Sequence, residues 1–318
     1  MAELSSTFVI KNALTLPAFA KINLTLRVLD KRADGYHDLE TVFQTVSLHD
    51  TIEISPLRES QIILSCNDRS LSLGEDNLVI RAAAALQDRF ASNKGARIRL
   101  RKRIPAEAGL GGGSSDAAVT LIGLATLWEL RPTKEDLLAI ASQLGADVSL
   151  FLFGGTARGT GIGDKVEPLA DAPEKSLLIV KPNANVNTSD AYKALDERSL
   201  TTLNSKTILA TSVTKQVFDN ADFASLTNDF EVVAFDLAPE IRRAKAALLK
   251  AGANAALLAG SGSAVFGVFD SEDAQRRAIQ AIELETGWRV FPCRTVGRSA
   301  YRSEMGPAGE ICALLFGR

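Results

Sequence analysis

The chain has 318 residues, 46% of them hydrophobic and 23% charged, with a formal net charge of −2. That length suits two domains or one large one, and so small a charge gives no global field for nucleic acid or an anionic membrane. Cys66, Cys293 and Cys312 are scattered and match neither a metal spacing nor a disulfide framework, which favours a reducing cytoplasm, and two histidines exclude a multi-histidine metal centre. No apolar run approaches the roughly 18 residues of a membrane span, and the first residues, with Glu3 and Lys11, are unlike a signal peptide. A cytoplasmic location is expected.

Residues 18–29 alternate. Ala20, Ile22, Leu24, Leu26 and Val28 point one way, and Phe19, Lys21, Asn23, Thr25 and Arg27 the other. Period two predicts a half-buried strand with Lys21 and Asn23 on one face. Asp30 to Gly35 is turn chemistry, and strand character resumes from Val42 to Ile54. Residues 78–90 read as a helix. Residues 97–103 alternate again, with Ile98 and Leu100 inward and Arg97, Arg99, Arg101 and Arg103 outward.

The next stretch, Pro105 to Asp116, reads Pro-Ala-Glu-Ala-Gly-Leu-Gly-Gly-Gly-Ser-Ser-Asp. Gly109, Gly111, Gly112 and Gly113 let the backbone turn its N–H groups toward one point. Ser114 and Ser115 then sit where a helix begins, and a helix start suits a phosphate. No Gly-Lys pair exists for a Walker loop, and Ser114 stands where a dinucleotide fingerprint needs its third glycine. The plain alternative is a flexible surface loop.

Ala117 to Trp128 forms a broad helical stripe ended by Pro132. Thr133 with Asp136 predicts a helix start and Gly145 a helix stop. Val148 to Phe153 reads as strand. A second glycine cluster (Gly154 to Gly163) follows, and a soft domain boundary is expected there, giving 1–165 and 166–318. The second half predicts strand 176–181, several helices, strand 254–259, a Gly260-Ser261-Gly262-Ser263 loop, strand 264–269, helix 272–286 and strand 288–296. This order implies α+β layers over an antiparallel or mixed sheet. Residues 200–225 match no pattern, nor does the tail after Tyr301, for which an extra or disordered segment is one reading.

Phosphoryl transfer needs a phosphate cradle, a cation near the acceptor oxygen and a group to take its proton. Residues 109–115 are the cradle. Lys21 is the candidate cation, against the reading of a solvated lysine on an exposed strand face. Asp147 is the candidate base, against a turn or cap aspartate. Asp116 competes, but the first helical turn already explains it through the dipole. Glu107 is acidic beside a polyphosphate and is expected to point away. Asp34 to His37 presents an aromatic beside an imidazole, suited to stack on and read a heterocyclic base, or else is a plain hairpin turn. Phe43 and Tyr192 carry the same ambiguity between base contact and core.

Taken together these residues resemble the GHMP kinases. Pro105 to Ala117 looks like their second motif and Leu258 to Ser263 like their third. Ala20 to Leu24, Lys31 to His37 and Gly145 to Val148 resemble one branch, whose members phosphorylate the 2-hydroxyl of 4-diphosphocytidyl-2-C-methyl-D-erythritol for non-mevalonate isoprenoid synthesis. The likeness runs from about residue 17 to about residue 300.

It implies an α+β, two-domain GHMP kinase fold, with a ribosomal-protein-S5-domain-2-like first domain and a ferredoxin-like second. It implies ATP and Mg²⁺, a small cytidine-diphosphate-linked substrate, and no nucleic acid or membrane. By resemblance Asp147 is the base and Lys21 its companion. Pro105, Gly109, Leu110, Gly111, Gly112, Gly113, Ser114, Ser115 and Asn77 lie along ATP. Asn23 meets the methylerythritol, Tyr36 and Tyr192 flank the cytosine, His37 reads its edge, and Phe43 and Thr188 line the pocket. The metal ligands are not assigned, and monomer and homodimer stand equally.

Overall fold

The computed structural model describes residues 13–199 and 226–317. Glu3, Lys11 and the unassigned segment 200–225 lie outside the described residues. A first sheet is built from β1 (Leu14–Lys31), β2 (His37–Leu57), β3 (Ile62–Cys66), β4 (Gly95–Arg101), β5 (Thr156–Thr160) and β6 (Lys165–Pro168). β7 (Ser176–Lys181) opens a second sheet. The two-residue β8 (Thr227–Asn228) returns to the first, pairing parallel to β1, and the order there is β3-β4-β2-β1-β8, with β5 on β2 and β6 on β5. β9 (Ala255–Leu258), β10 (Val265–Phe269) and β11 (Arg289–Arg294) complete the second sheet in the order β11-β7-β10-β9, all antiparallel. Numbered within that sheet, the order is 4-1-3-2, the ferredoxin-like arrangement that was expected.

The helices are α1 (Leu78–Arg89), α2 (Gly112–Leu127), α3 (Lys134–Leu144), α4 (Val148–Phe153), α5 (Thr188–Ser199), α6 (Glu231–Leu237), α7 (Pro239–Lys250), α8 (Glu272–Ile282), α9 (Arg298–Glu304) and α10 (Pro307–Phe316). Three apolar cores stack between the layers. One joins the first sheet to α1–α4, α9 and α10; the next joins the two sheets, with Ile22 and Leu24 against Leu177, Leu257 and Phe266; the third joins the second sheet to α5–α8.

β1 shows how sequence places the site. Its pairing with β2 slips between Phe19 and Ala20. Two extra residues of β2, Ser47 and Leu48, stand opposite the slip, and such an irregularity re-aims the side chains that follow. Leu16 and Ala18 accordingly enter the helix-side core, while Ala20, Ile22 and Leu24 enter the core between the sheets. The expected half-buried strand is instead buried on both faces from Ala18 to Leu26, so the lysine at position 21 is not on a solvated surface.

Two other expectations change. Val148–Phe153 is a helix, not a strand; every residue in it is buried, and a short apolar run without alternation carries no period to distinguish the two. The tail beyond Tyr301 is ordered. α9 and α10 bury Tyr301, Met305, Ala308 and Cys312 in the first core, and the Tyr301 hydroxyl donates to the Phe151 carbonyl at 2.6 Å. Thr133 starts α3 with a full capping box to Asp136, as its spacing predicted.

Candidate active site

Two glycine loops, one from each sheet's side of the molecule, meet backbone to backbone. Gly109 has φ +72°, and a Cβ there would lie 1.9 Å from the Ala259 carbonyl oxygen, so only glycine allows the approach. The Ala264 N–H donates to the Ala108 carbonyl at 3.3 Å. Asn228 holds the second loop by donating its amide to the carbonyls of Leu258 (2.9 Å) and Gly260 (2.8 Å). Gly111, at φ +70°, turns the chain into α2. The Lys21 N–H donates to the Leu110 carbonyl at 3.0 Å, fastening β1 to the first loop.

Three cavities share walls along this junction. One of about 370 Å³ is lined by Asn77, Pro105, Leu110, Gly112, Gly113 and Asp116. The central one, about 750 Å³, takes in Lys21, Asn23, Phe43, Ser114 and Asp147. Glu107, Gly109 and Gly111 belong to both. Glu107 thus borders the trough; its φ is +50°, and its backbone carbonyl accepts from Ser263. Thr188 and Tyr192 join the centre to a third cavity of about 560 Å³ that includes Tyr36 and His37. The sequence-predicted residues are thus strung along one trough, apart from Ser115, which is buried at the start of α2 with its Oγ unpartnered among the described residues.

At the centre, Lys21 Nζ lies 3.5 Å from Asp147 Oδ2 and 5.5 Å above the Phe43 ring. It donates to Asn23 Oδ1 (2.9 Å), and Asn23 Nδ2 donates to Thr41 Oγ1 (2.8 Å). Lys21 is 4% exposed overall, whereas the Asp147 side chain is 30% exposed. Asp147 precedes α4 but makes no capping hydrogen bond. The cap reading of this residue is removed, and its carboxylate is open toward the cavity. Burial and the nearby Asp147 charge push the Tyr192 hydroxyl up to about 12, so Tyr192 presents a neutral phenol and a ring.

At the glycine-loop end, Asp116 is the fifth residue of α2, past its first turn, so the helix start does not explain it. Lys102 Nζ is 2.5 Å from Asp50 Oδ2 and 2.6 Å from Asp116 Oδ2. Asp50, fully buried, also accepts the N–H groups of Arg103 and Ile104. Burial raises the Asp116 carboxyl to about 7 against the pull of Lys102, with Asp50 adding repulsion. Asp116 Oδ1 has no partner among the described residues. Asn77 caps α1, accepting from the Val79 N–H and donating to the Ser72 carbonyl; its amide is committed to shaping the wall.

At the aromatic end, Tyr36 is 62% exposed. His37 stacks on Tyr192, ring centroids 5.0 Å apart and planes 14° apart, and the edge of Phe230 backs Tyr192 at 4.9 Å. Thr188 Oγ1 hydrogen-bonds Ser261 Oγ at 2.9 Å, tying α5 to the second glycine loop.

Sequence reading missed Asp50, Lys102, Asn228 and Asp196. For Lys102 a signal existed: it shares the inward parity of Ile98 and Leu100. Asp196 sits eight residues after Thr188 on α5 and four after Tyr192, a helical stripe that was legible once Tyr192 was singled out. The outward arginines are the solvated face that alternation allowed, Arg99 and Arg101 both pairing with Glu53.

Known proteins share this arrangement. The family model for the N-terminal domain of GHMP kinases matches residues 77–155, and that for their C-terminal domain matches 214–286. A 4-diphosphocytidyl-2-C-methyl-D-erythritol kinase of Solibacter usitatus is 44% identical over 91% of this chain and 90% of its own. This chain belongs to that family of GHMP kinases. A kinase of the same name from Desulfitobacterium hafniense is 40% identical over 91% of this chain and 98% of its own. A crystal structure of 4-(cytidine 5'-diphospho)-2C-methyl-D-erythritol kinase superposes with TM-score 0.78 at 34% identity, covering 89% of this chain and all of that one. Homoserine kinase from Cytophaga hutchinsonii, at 20% identity and TM-score 0.67 over 94% and 98% of the two chains, shares the fold. The chain is therefore a small-molecule kinase of two-domain α+β architecture. Among the described residues of this kinase no helix is long and apolar enough to cross a membrane.

Proposed function

We propose that this kinase transfers the γ-phosphoryl group of ATP to the 2-hydroxyl of 4-diphosphocytidyl-2-C-methyl-D-erythritol in the non-mevalonate isoprenoid pathway, in the cytoplasm. The observation that carries the proposal is Asp147 with Lys21 at 3.5 Å, open to a cavity walled by glycine loops on one side and by Tyr192 on the other. In this reading Gly109 to Ser115 wrap the phosphates with backbone N–H groups. Asn77 and Pro105 line the nucleoside side. Phe43, Asn23 and Thr188 border the methylerythritol, and Tyr36, His37 and Tyr192 take the cytosine. The two domains divide near residue 165, with residues 298–316 returning to the first.

Asp147 accepts the proton of the acceptor hydroxyl. Lys21 orients that carboxylate and offsets charge as the phosphoryl group moves. A tertiary alcohol is a weak nucleophile, and a loose transition state lets deprotonation come late, so alignment counts for more than base strength. The Asn23–Thr41 chain holds Lys21 in line. Bound with ATP, Mg²⁺ would supply charge neutralisation on the phosphate oxygens. Among the described residues no three His, Cys, Asp or Glu side chains gather to hold a metal alone. Mg²⁺ takes oxygen ligands and would arrive on the phosphates that residues 109–115 hold; Asp116 borders the nucleotide-side cavity, with Oδ1 buried and unpartnered among the described residues.

The test is ADP release with four acceptors: the cytidine-linked methylerythritol, mevalonate, homoserine and galactose. The expected result is turnover with the first alone. Turnover with any other and none with the first would overturn the assignment.

A further inference from the structure

One carboxylate of the second half reaches the cytosine end of the trough, and no motif marks it. Asp196 Oδ1 is 2.6 Å from His37 Nε2, and Asp196 Oδ2 is 2.5 Å from Lys31 Nζ. Lys31 and His37 are cross-strand partners where β1 turns into β2. Both therefore converge on a single group presented by α5. The stack on Tyr192 fixes the plane of the His37 ring, but a half-turn of the ring within that plane leaves stacking unchanged. Only an edge contact decides which nitrogen points where.

The Asp196 contact decides it. With an ammonium on one oxygen, Asp196 is an ionised carboxylate, and an ionised carboxylate only accepts. His37 Nε2 must therefore carry the hydrogen, and in the neutral imidazole Nδ1 is then a bare acceptor. Among the described residues Nδ1 has no hydrogen-bond partner. Cytosine presents an exocyclic amine where uracil presents a carbonyl.

We infer that Asp196 is a specificity-determining positioning residue: it locks His37 in the Nε2–H tautomer, so that Nδ1 accepts from the 4-amino group of a cytidine substrate and repels the 4-oxo group of a uridine one. The inference rests on the functional reading above and adds to it the residue that makes the pocket choose.

The test has two independent arms. Nitrogen-15 spectra of the free wild-type enzyme at alkaline pH report the tautomer directly; Nε2–H with unprotonated Nδ1 is expected, and the Nδ1–H form would overturn the inference. Competition binding with CDP and UDP gives the selectivity. Wild type should prefer CDP by about 100-fold, the scale of one buried hydrogen bond exchanged for a clash. Asp196→Ala should bring that ratio below about 10-fold, while Lys31→Met, which keeps the carboxylate, should preserve it. An unchanged ratio in Asp196→Ala, with phosphoryl transfer to the cytidine-linked acceptor intact, would overturn the role of Asp196 alone. Absence of that transfer in wild type would overturn the functional reading and this inference together. If Asp196→Ala does not fold, the wild-type spectra still decide.

Discussion

Two lysine–carboxylate groups flank the first glycine loop, and they are built differently. Lys102 is closed in by Asp50 and Asp116 at 2.5 and 2.6 Å, with all three side chains at most 10% exposed. Lys21 is buried too, but its carboxylate stands 3.5 Å off and is 30% open. The first carboxylate of the closed group is saturated by two backbone N–H groups as well as the lysine. Among the described residues Asp147 has neither a cap bond nor a second cation. One arrangement spends its charge on holding the entrance to α2; the other leaves a carboxylate unspent, which is what proton transfer requires. The residue types are the same, and in the proposed function partner number and exposure separate fastening from chemistry.

Methionine at each lysine should break the resemblance between them. Lys102→Met leaves two buried carboxylates facing each other, and removing one partner from a buried ionic group typically costs about 3–5 kcal/mol. The denaturation midpoint should fall accordingly. Lys21→Met leaves Asp147 able to solvate, so its loss should be about 1 kcal/mol, the scale of one hydrogen bond to Asn23. An equal fall in both variants would dissolve the distinction.

The closed group should also titrate. The folded Asp116 carboxyl, at about 7, lies above its unfolded value near 4. The folded state therefore holds the extra proton between these values, and this group's contribution to stability is lost as pH rises through that window, by an amount of order 2–4 kcal/mol. Asp116→Asn should flatten that part of a stability-versus-pH curve; an unaltered slope would show that Asp116 is ionised throughout. The open group has a brace of its own, since Tyr301 donates to the carbonyl of Phe151 on the helix that Asp147 begins. Tyr301→Phe leaves that carbonyl unpaired, with an expected loss of about 1–2 kcal/mol in thermal unfolding. A fall in kcat exceeding the effect on KM would show that the brace also sets Asp147.

Much of this was readable from the chain. The glycine loops, the strand carrying Lys21 and Asn23, and the α3 capping box each rest on a local rule that the structure obeys. What was not readable depended on partners distant in sequence. Helices on one side and the second sheet on the other bury both faces of β1 without disturbing its alternation. Asp50 and Lys102 are 52 residues apart, and only pairing of β2 with β4 brings them together. Asp196 meets His37 across 159 residues. The tail's role in bracing α4 needed the whole first core, because Tyr301, Met305 and Cys312 look like any apolar stripe.

In the proposed function Asp147 takes the proton while the binding surfaces lie elsewhere in the trough. Single-turnover phosphoryl transfer by Asp147→Asn, with saturating ATP and the cytidine-linked acceptor, tests it most directly. The rate should fall by a factor on the order of 100 or more, with acceptor affinity mostly kept. A transfer rate like that of the wild type would contradict it and remove Asp147 from the chemistry.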